Sequence, residues 1–152
     1  MHSRIFQIER HEVDKDDFID SYSIPDWFTD TIADYTDDEC DRDSDIEWLM
    51  GSIGLYATLD GEKLTFNSDP RLYFKERYDE FTRIASELSK ASFDDFASGE
   101  IGHEKWRLNQ AYEDRYGFYV YQNDGMETLT EWMRQVKAGD VFYIGGTVDY
   151  HA

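Results

Sequence analysis

The stretch "GLYATLDGEKLTFN", residues 54–67, decides the fold class. Two runs rich in β-favouring residues flank Asp60-Gly61, a dipeptide preferred in two-residue turns, so the sequence predicts a β-hairpin here. A turn at Asp60-Gly61 sets Leu59 opposite Glu62, Ala57 opposite Leu64 and Leu55 opposite Phe66. Leu55, Ala57, Leu64 and Phe66 then share one buried face. A lone hairpin is marginal in water and needs further strands or helices on its apolar side.

The flanking sequence supplies both. "RIFQIE" reads as a strand over residues 3–9, with Ile5, Phe6 and Ile8 available for burial. Asp14 is placed to cap a short helical turn, and Pro25 suits the first position of a helix running to about Thr36. Residues 43–53 continue as helix with Asp43 or Ser44 as cap. "SDPRLYFKERYDEFTRIASELSK" opens with Asp69 as cap and Pro70 as first helical residue, and carries Phe74, Tyr78, Phe81, Ala85 and Leu88 on one stripe. "SFDDFAS" adds one turn before Gly99. "HEKWRLNQAYEDRYG" reads as a helix ended by Gly117 with Leu108, Ala111 and Tyr112 inward, and "FYVYQ" as a strand. Met126, Leu129, Trp132, Met133 and Val136 have helical spacing. "DVFYIGGTVDY" reads as a second hairpin about Gly145-Gly146, pairing Tyr143 with Val148 and Val141 with Tyr150. The expected architecture is one α+β domain over residues 1–152, a mainly antiparallel sheet built from hairpins with helices packed on one face.

Composition sets the class of partner. With 40% hydrophobic and 16% aromatic residues, the 152-residue chain has enough apolar surface to fold despite a net charge of −19. Cys40 is the sole cysteine, and "MHSRIFQIERHEV" lacks the apolar run of a signal peptide, so a cytoplasmic location is expected. No apolar stretch approaches the roughly 20 residues needed to cross a bilayer. Nucleic acid and anionic lipid carry the same sign of charge as the protein, and a basic protein surface is the favoured partner.

The charge is concentrated. Residues 1–50 hold 16 acidic and 4 basic residues, where an even spread of the net charge would put about a third of it. Between Lys15 and Arg42 there are ten acidic residues and no basic one. On a helix over 25–36, Ile24, Phe28, Ile32 and Tyr35 gather on one face, with Asp26, Asp30, Asp34 and Asp37 close to the opposite one. Like charges four residues apart on a helix cost roughly 0.2–0.5 kcal/mol per pair, so stability does not account for the pattern.

Each motif that suggests chemistry has a simpler reading. "DRDSD" offers Asp41, Asp43 and Asp45 at alternate positions, as a calcium loop does, but Ile46 stands where that loop needs glycine and Ser52 where it needs a bidentate Glu. A solvated capping cluster fits better. "HEKWR" starts like a zinc-protease helix and then has Arg107 in place of the second histidine. "GSIG" and "IGG" lack the spacing of a phosphate loop, and no cofactor motif is present. Carboxylate pairs such as Glu113 and Asp114 suit a small hydrolase, but an acidic chain produces such pairs by chance.

The function expected from these residues is that of an acidic, non-enzymatic protein-binding inhibitor. In its sharper form it is a nucleic-acid mimic that occupies the basic groove of a nuclease or other nucleic-acid-binding protein. Successive i, i+4 carboxylates advance roughly 6 Å along a helix, comparable in order to phosphate spacing. Asp26, Asp30, Asp34, Asp37, Asp38 and Asp41 are the candidate phosphate surrogates, with Glu39 beside them. Trp27, at the edge of the apolar stripe, is either a border core residue or an aromatic contact. In general character the chain resembles the small acidic antirestriction and anti-CRISPR proteins of phages and conjugative elements; no motif assigns it to one of those families, and no residues are carried over. The alternative is an intracellular adaptor whose acidic patch meets some other basic protein.

Overall fold

The computed structural model describes residues 1–152. In chain order the elements are β1 (His2–Glu9), α1 (Asp26–Thr31), β2 (Tyr35–Asp37), α2 (Arg42–Ile53), β3 (Ala57–Asp60), β4 (Lys63–Phe66), α3 (Lys75–Ser89), α4 (Phe93–Ser98), α5 (Gly102–Tyr112), β5 (Tyr119–Gln122), β6 (Gly125–Thr128), α6 (Leu129–Gln135) and β7 (Val141–His151). Short 3-10 turns occupy 15–17, 21–23 and 70–74. The seven strands form one sheet of order β3-β4-β7-β1-β5-β6, antiparallel except for the β1–β5 pair. Strand β2 joins the edge of β7 that β4 also uses, β4 pairing residues 141–143 and β2 residues 149–151. The fold is therefore a single α+β domain, as the hairpin signals predict.

The first hairpin forms in a different register. Leu59 pairs with Leu64 and Ala57 with Phe66, so the turn is Gly61-Glu62 rather than Asp60-Gly61. Gly61 has φ 60°, and Glu62 is not among the residues of positive φ, the arrangement of a turn that wants glycine first. Leu55 consequently lies outside the ladder and is exposed.

The expected hairpin at Gly145-Gly146 is absent. β7 runs straight through it as one eleven-residue strand, because the glycines form a bulge. Phe6 pairs with Thr147 and Ile8 with Ile144, leaving two residues of β7 against the single Gln7 of β1. The Gln7 side chain fills the bulge. Its Oε1 accepts from the Gly146 N–H (2.9 Å) and the Ile19 N–H (3.0 Å), and its Nε2 donates to the Asp17 carbonyl (3.1 Å). A Cβ at Gly145 would collide with this carboxamide, and one at Gly146 would sit 2.9 Å from the Ile19 backbone. Glycine is needed here for close approach, not for a turn.

The bulge reverses which side of the sheet β7 presents. Phe142 and Ile144 join the larger core, with Phe6, Ile8, Leu64, Phe66 and Val120 covered by Ile46, Leu49 and Ile53 of α2 and Trp132 and Met133 of α6. Val148 and Tyr150 join a smaller core with Ile5, Tyr119, Ile24 and Phe28.

A third hairpin was not foreseen. Asn123 and Asp124 both have positive φ (51° and 60°), the mirror-image turn conformation that Asn and Asp tolerate, and they link β5 to β6. Met126 thus lies in β6, and α6 begins only at Leu129 with Thr128 as cap. The α5 helix ends at Tyr112, five residues before Gly117, and Tyr112 is exposed; on α3, Tyr78 is exposed and Ile84 is the buried residue.

Gln7→Ala leaves the Ile19 and Gly146 N–H groups without their acceptor. Such a loss costs about 1–3 kcal/mol, which a denaturant midpoint shift should register while far-UV dichroism of the native state stays unchanged.

Candidate protein-binding site

The acidic segment is ordered, but not as one helix. Pro25 caps rather than starts α1, which stops at Thr31. The Asp34 N–H donates to the His151 carbonyl (2.7 Å), and Tyr35–Asp37 pairs with the end of β7. Sheet pairing thus overrides the helical stripe. Asp26 and Asp30 remain on α1, Asp34 sits in the bend and Asp37 lies on an edge strand, so the four do not share a helix face.

Several of these carboxylates hold the backbone. Asp38 accepts from the Ser21 N–H (2.6 Å) and hydroxyl (2.8 Å), tying the 21–23 turn to the segment. Asp37 accepts from the Glu39 N–H (2.8 Å). Asp41, not Asp43 or Ser44, caps α2 by accepting from the Asp43 and Ser44 N–H groups (3.1 and 3.3 Å) and the Ser44 hydroxyl (3.0 Å). The Ser44 bonds, backbone before side chain, lower the Asp41 pKa below its ordinary 3.8. Asp34 lies 3.3 Å from His151 Nδ1, and Tyr35 stacks on the same ring (centroids 5.3 Å apart). Asp26, Asp30 and Glu39 are exposed with their carboxylates unengaged by any side chain. None of the seven acids pairs with a lysine or arginine. The molecule's Lys and Arg ion pairs lie elsewhere.

The run Asp41, Asp43, Asp45 is split by the helix it starts. Asp45 turns inward and is buried: Arg4 Nε donates to its Oδ1 (2.6 Å) and the Thr147 hydroxyl to its Oδ2 (2.9 Å). The same guanidinium bonds Asp149, whose other oxygen is 3.0 Å from His2 Nδ1. One arginine thus serves two acids between α2 and the centre of the sheet. Cys40 sits at the edge of this network, its Sγ 3.4 Å from the Thr147 carbonyl. Burial pushes the thiol up from its ordinary 9.0, the Thr147 bond opposes this, and Asp45 reinforces it.

Trp27 is no border core residue. It is 46% exposed and lines an open groove of about 860 Å³ whose other walls come from α5 and the β6–α6 corner. Trp106 and Tyr112 of α5 line the same groove and are 54% and 57% exposed. Glu113, Glu127 and Glu131 stand along it. Sequence reading missed this groove; the available signal was Trp106, a large aromatic off the Leu108–Ala111 side of its helix.

The carboxylates named for acid–base chemistry are each held by a donor of their own. Glu113 accepts from the Thr128 hydroxyl (3.1 Å) and Asp114 from the Tyr116 N–H (3.3 Å). In a second cleft of about 600 Å³, Glu9 accepts from the Asn123 N–H (3.0 and 3.2 Å) and Glu127 from Gln135 Nε2 (3.0 and 2.8 Å). Burial raises the Glu127 pKa, the Gln135 bond opposes this, and Glu131 reinforces it.

No helix is long and apolar enough to cross a membrane. Compared with family models, curated proteins and solved structures, the chain matches none.

Two outcomes follow from the charged groups. Arg4→Met strands Asp45 and Asp149 in a largely buried setting and should destabilise by about 3–5 kcal/mol in equilibrium unfolding. The Asp41 carboxylate, with its lowered folded pKa, contributes stability that is complete above its ordinary value and lost as pH falls through the folded one. Asp41→Asn caps without titrating, so thermal melts of the variant should show a shallower acid limb below about pH 4 than the parent.

Proposed function

We propose that the chain is an acidic binding protein that inhibits its partner by occupying a Lys/Arg-lined groove that otherwise holds nucleic acid. The observation that carries this reading is the acidic segment from Asp26 to Asp41, its backbone held by sheet pairing and caps, in which Asp26, Asp30, Asp34, Asp37, Asp38, Glu39 and Asp41 have no lysine or arginine partner. Fixing the backbone beforehand matters, because ordering a charged segment on binding would consume part of the attraction. Charge of one sign on a rigid surface steers a cationic partner and makes the association salt-sensitive.

A second reading, an adaptor that meets a basic protein without imitating nucleic acid, is favoured by one observation. α1 ends at Thr31, before Asp34, so the regular carboxylate ladder of a longer helix is not reproduced. Both readings share the acidic segment and differ in what competes for the partner.

Immobilised protein should capture Lys/Arg-rich nucleic-acid-binding proteins at low ionic strength and release them steeply as salt rises. Combining Asp26→Asn, Asp30→Asn, Asp37→Asn and Glu39→Gln, which spares the Asp38 and Asp41 backbone contacts, should weaken capture about tenfold or more and flatten the salt response. Duplex or single-stranded nucleic acid should displace the partner of a mimic. Retained binding with nucleic acid in excess selects the adaptor, and unchanged salt-sensitive affinity in the folded variant removes these acids from the interface.

A further inference from the structure

Arginines in this protein repeatedly lie over aromatic rings. Arg4 is over Trp48 (5.6 Å), Arg10 over Phe142 (4.4 Å), Arg42 over Phe18 (4.8 Å), Arg77 over Tyr73 (5.6 Å), and Arg134 over Tyr112 and Phe74 (4.4 and 5.3 Å). Among the four tryptophans, Trp132 is core and Trp48 has its arginine. Trp27 and Trp106 have none. Among aromatic neighbours Trp27 meets Phe28 edge-to-face (5.7 Å) and Trp106 stacks with His103 (5.9 Å), and both tryptophans line the groove between α1 and α5.

The charges along that groove are complementary to a cation. Glu113 and Glu127 are hydrogen-bonded by neutral donors and have no lysine or arginine partner, and Asp26 and Asp30 follow on the exposed side of α1. Glu131 is already paired with Arg134. Arg115 is the one cation on the wall without a carboxylate partner; it donates to the Thr31 carbonyl (2.8 Å) at the end of α1 and lies over Tyr116 (5.6 Å). That position completes the C-terminal turn of α1 and sets the guanidinium over Tyr116 rather than over either tryptophan.

We infer that this groove seats arginine side chains from an extended basic segment of the partner, with Trp27 and Trp106 as stacking surfaces and Glu113 and Glu127 as charge partners. The inference rests on the proposed reading that the partner is basic and names the part of it that enters. Arginine is favoured over lysine because a planar guanidinium stacks on indole while presenting its N–H groups sideways to carboxylates, which a compact ammonium does not do. An extended segment suits a groove open to solvent better than a single buried ligand does.

The probes are a short peptide of alternating arginine and glycine, its lysine counterpart and its citrulline counterpart, which keeps the shape but not the charge. The arginine peptide should bind best, the lysine peptide more weakly and the citrulline peptide least. Trp27→Ala and Trp106→Ala should each weaken the arginine peptide about two- to fivefold. In the unmodified protein, the indole N–H resonances of Trp27 and Trp106 should move on titration while that of buried Trp132 stays in place. Equal binding of the citrulline peptide, or unmoved Trp27 and Trp106 resonances at saturation, overturns the inference. If Asp37→Asn with Glu39→Gln, outside the groove, loses a basic protein that both tryptophan variants still hold, the groove falls and the acidic segment stands. If no basic peptide or protein binds at low salt, both fall.

Discussion

The bulge at Gly145-Gly146, filled by Gln7, is the constraint on which the architecture turns. A strand has side chains alternating between two sides, and one additional residue exchanges them. β7 uses that exchange to give Phe142 and Ile144 to one core and Val148 and Tyr150 to the other. Without it, the far half of β7 would turn its apolar side toward α2 and leave Phe28 and Ile24 uncovered. The Gln7 carboxamide also reaches Asp17 and Ile19, so two of its three hydrogen bonds anchor the chain that leads into the acidic segment while the third holds Gly146.

From that anchor, the acidic segment is held by a sequence of local contacts. Phe28 packs edge-on against Tyr119 and Tyr150 (4.8 and 5.0 Å), fixing α1 over the smaller core. β2 pairs with the end of β7, Asp38 holds the preceding turn, and Asp41 starts α2. Asp45, four residues on, goes inward to Arg4. Acids in one short stretch thus divide between those that shape the backbone and those left facing water, with Asp26, Asp30 and Glu39 the clearest of the second kind.

What could be read from the sequence was what local residues decide. The β-favouring run "RIFQIE", the Asp69-Pro70 start, the added turn in "SFDDFAS" and the core role of Trp132 all depend on neighbours a few positions away. The misreadings came from distant partners. Glycine pairs serve turns and bulges alike, and only Gln7 distinguishes them at Gly145-Gly146. The helical stripe through Ile32 and Tyr35 was real as a pattern, but the open edge of β7 claimed Tyr35–Asp37 as a strand. At the first hairpin the error was one residue, because Gly61 takes the first place of its turn. The groove beside Trp27 joins α1 to α5, elements about 75 residues apart, and no periodicity within either one could disclose it.

Strands β1 and β7 are the central neighbours of the sheet, and the Gln7–Gly146 contact between them spans 139 positions. Closing so long a loop is entropically costly before any pairing rewards it, and chains dominated by such contacts assemble slowly. Emerging from the ribosome, this chain would have its aspartate-rich portion exposed long before β7 arrives to receive β2. During that interval the carboxylates repel one another in an extended polyanion, which resists premature collapse and self-association until the last strand docks.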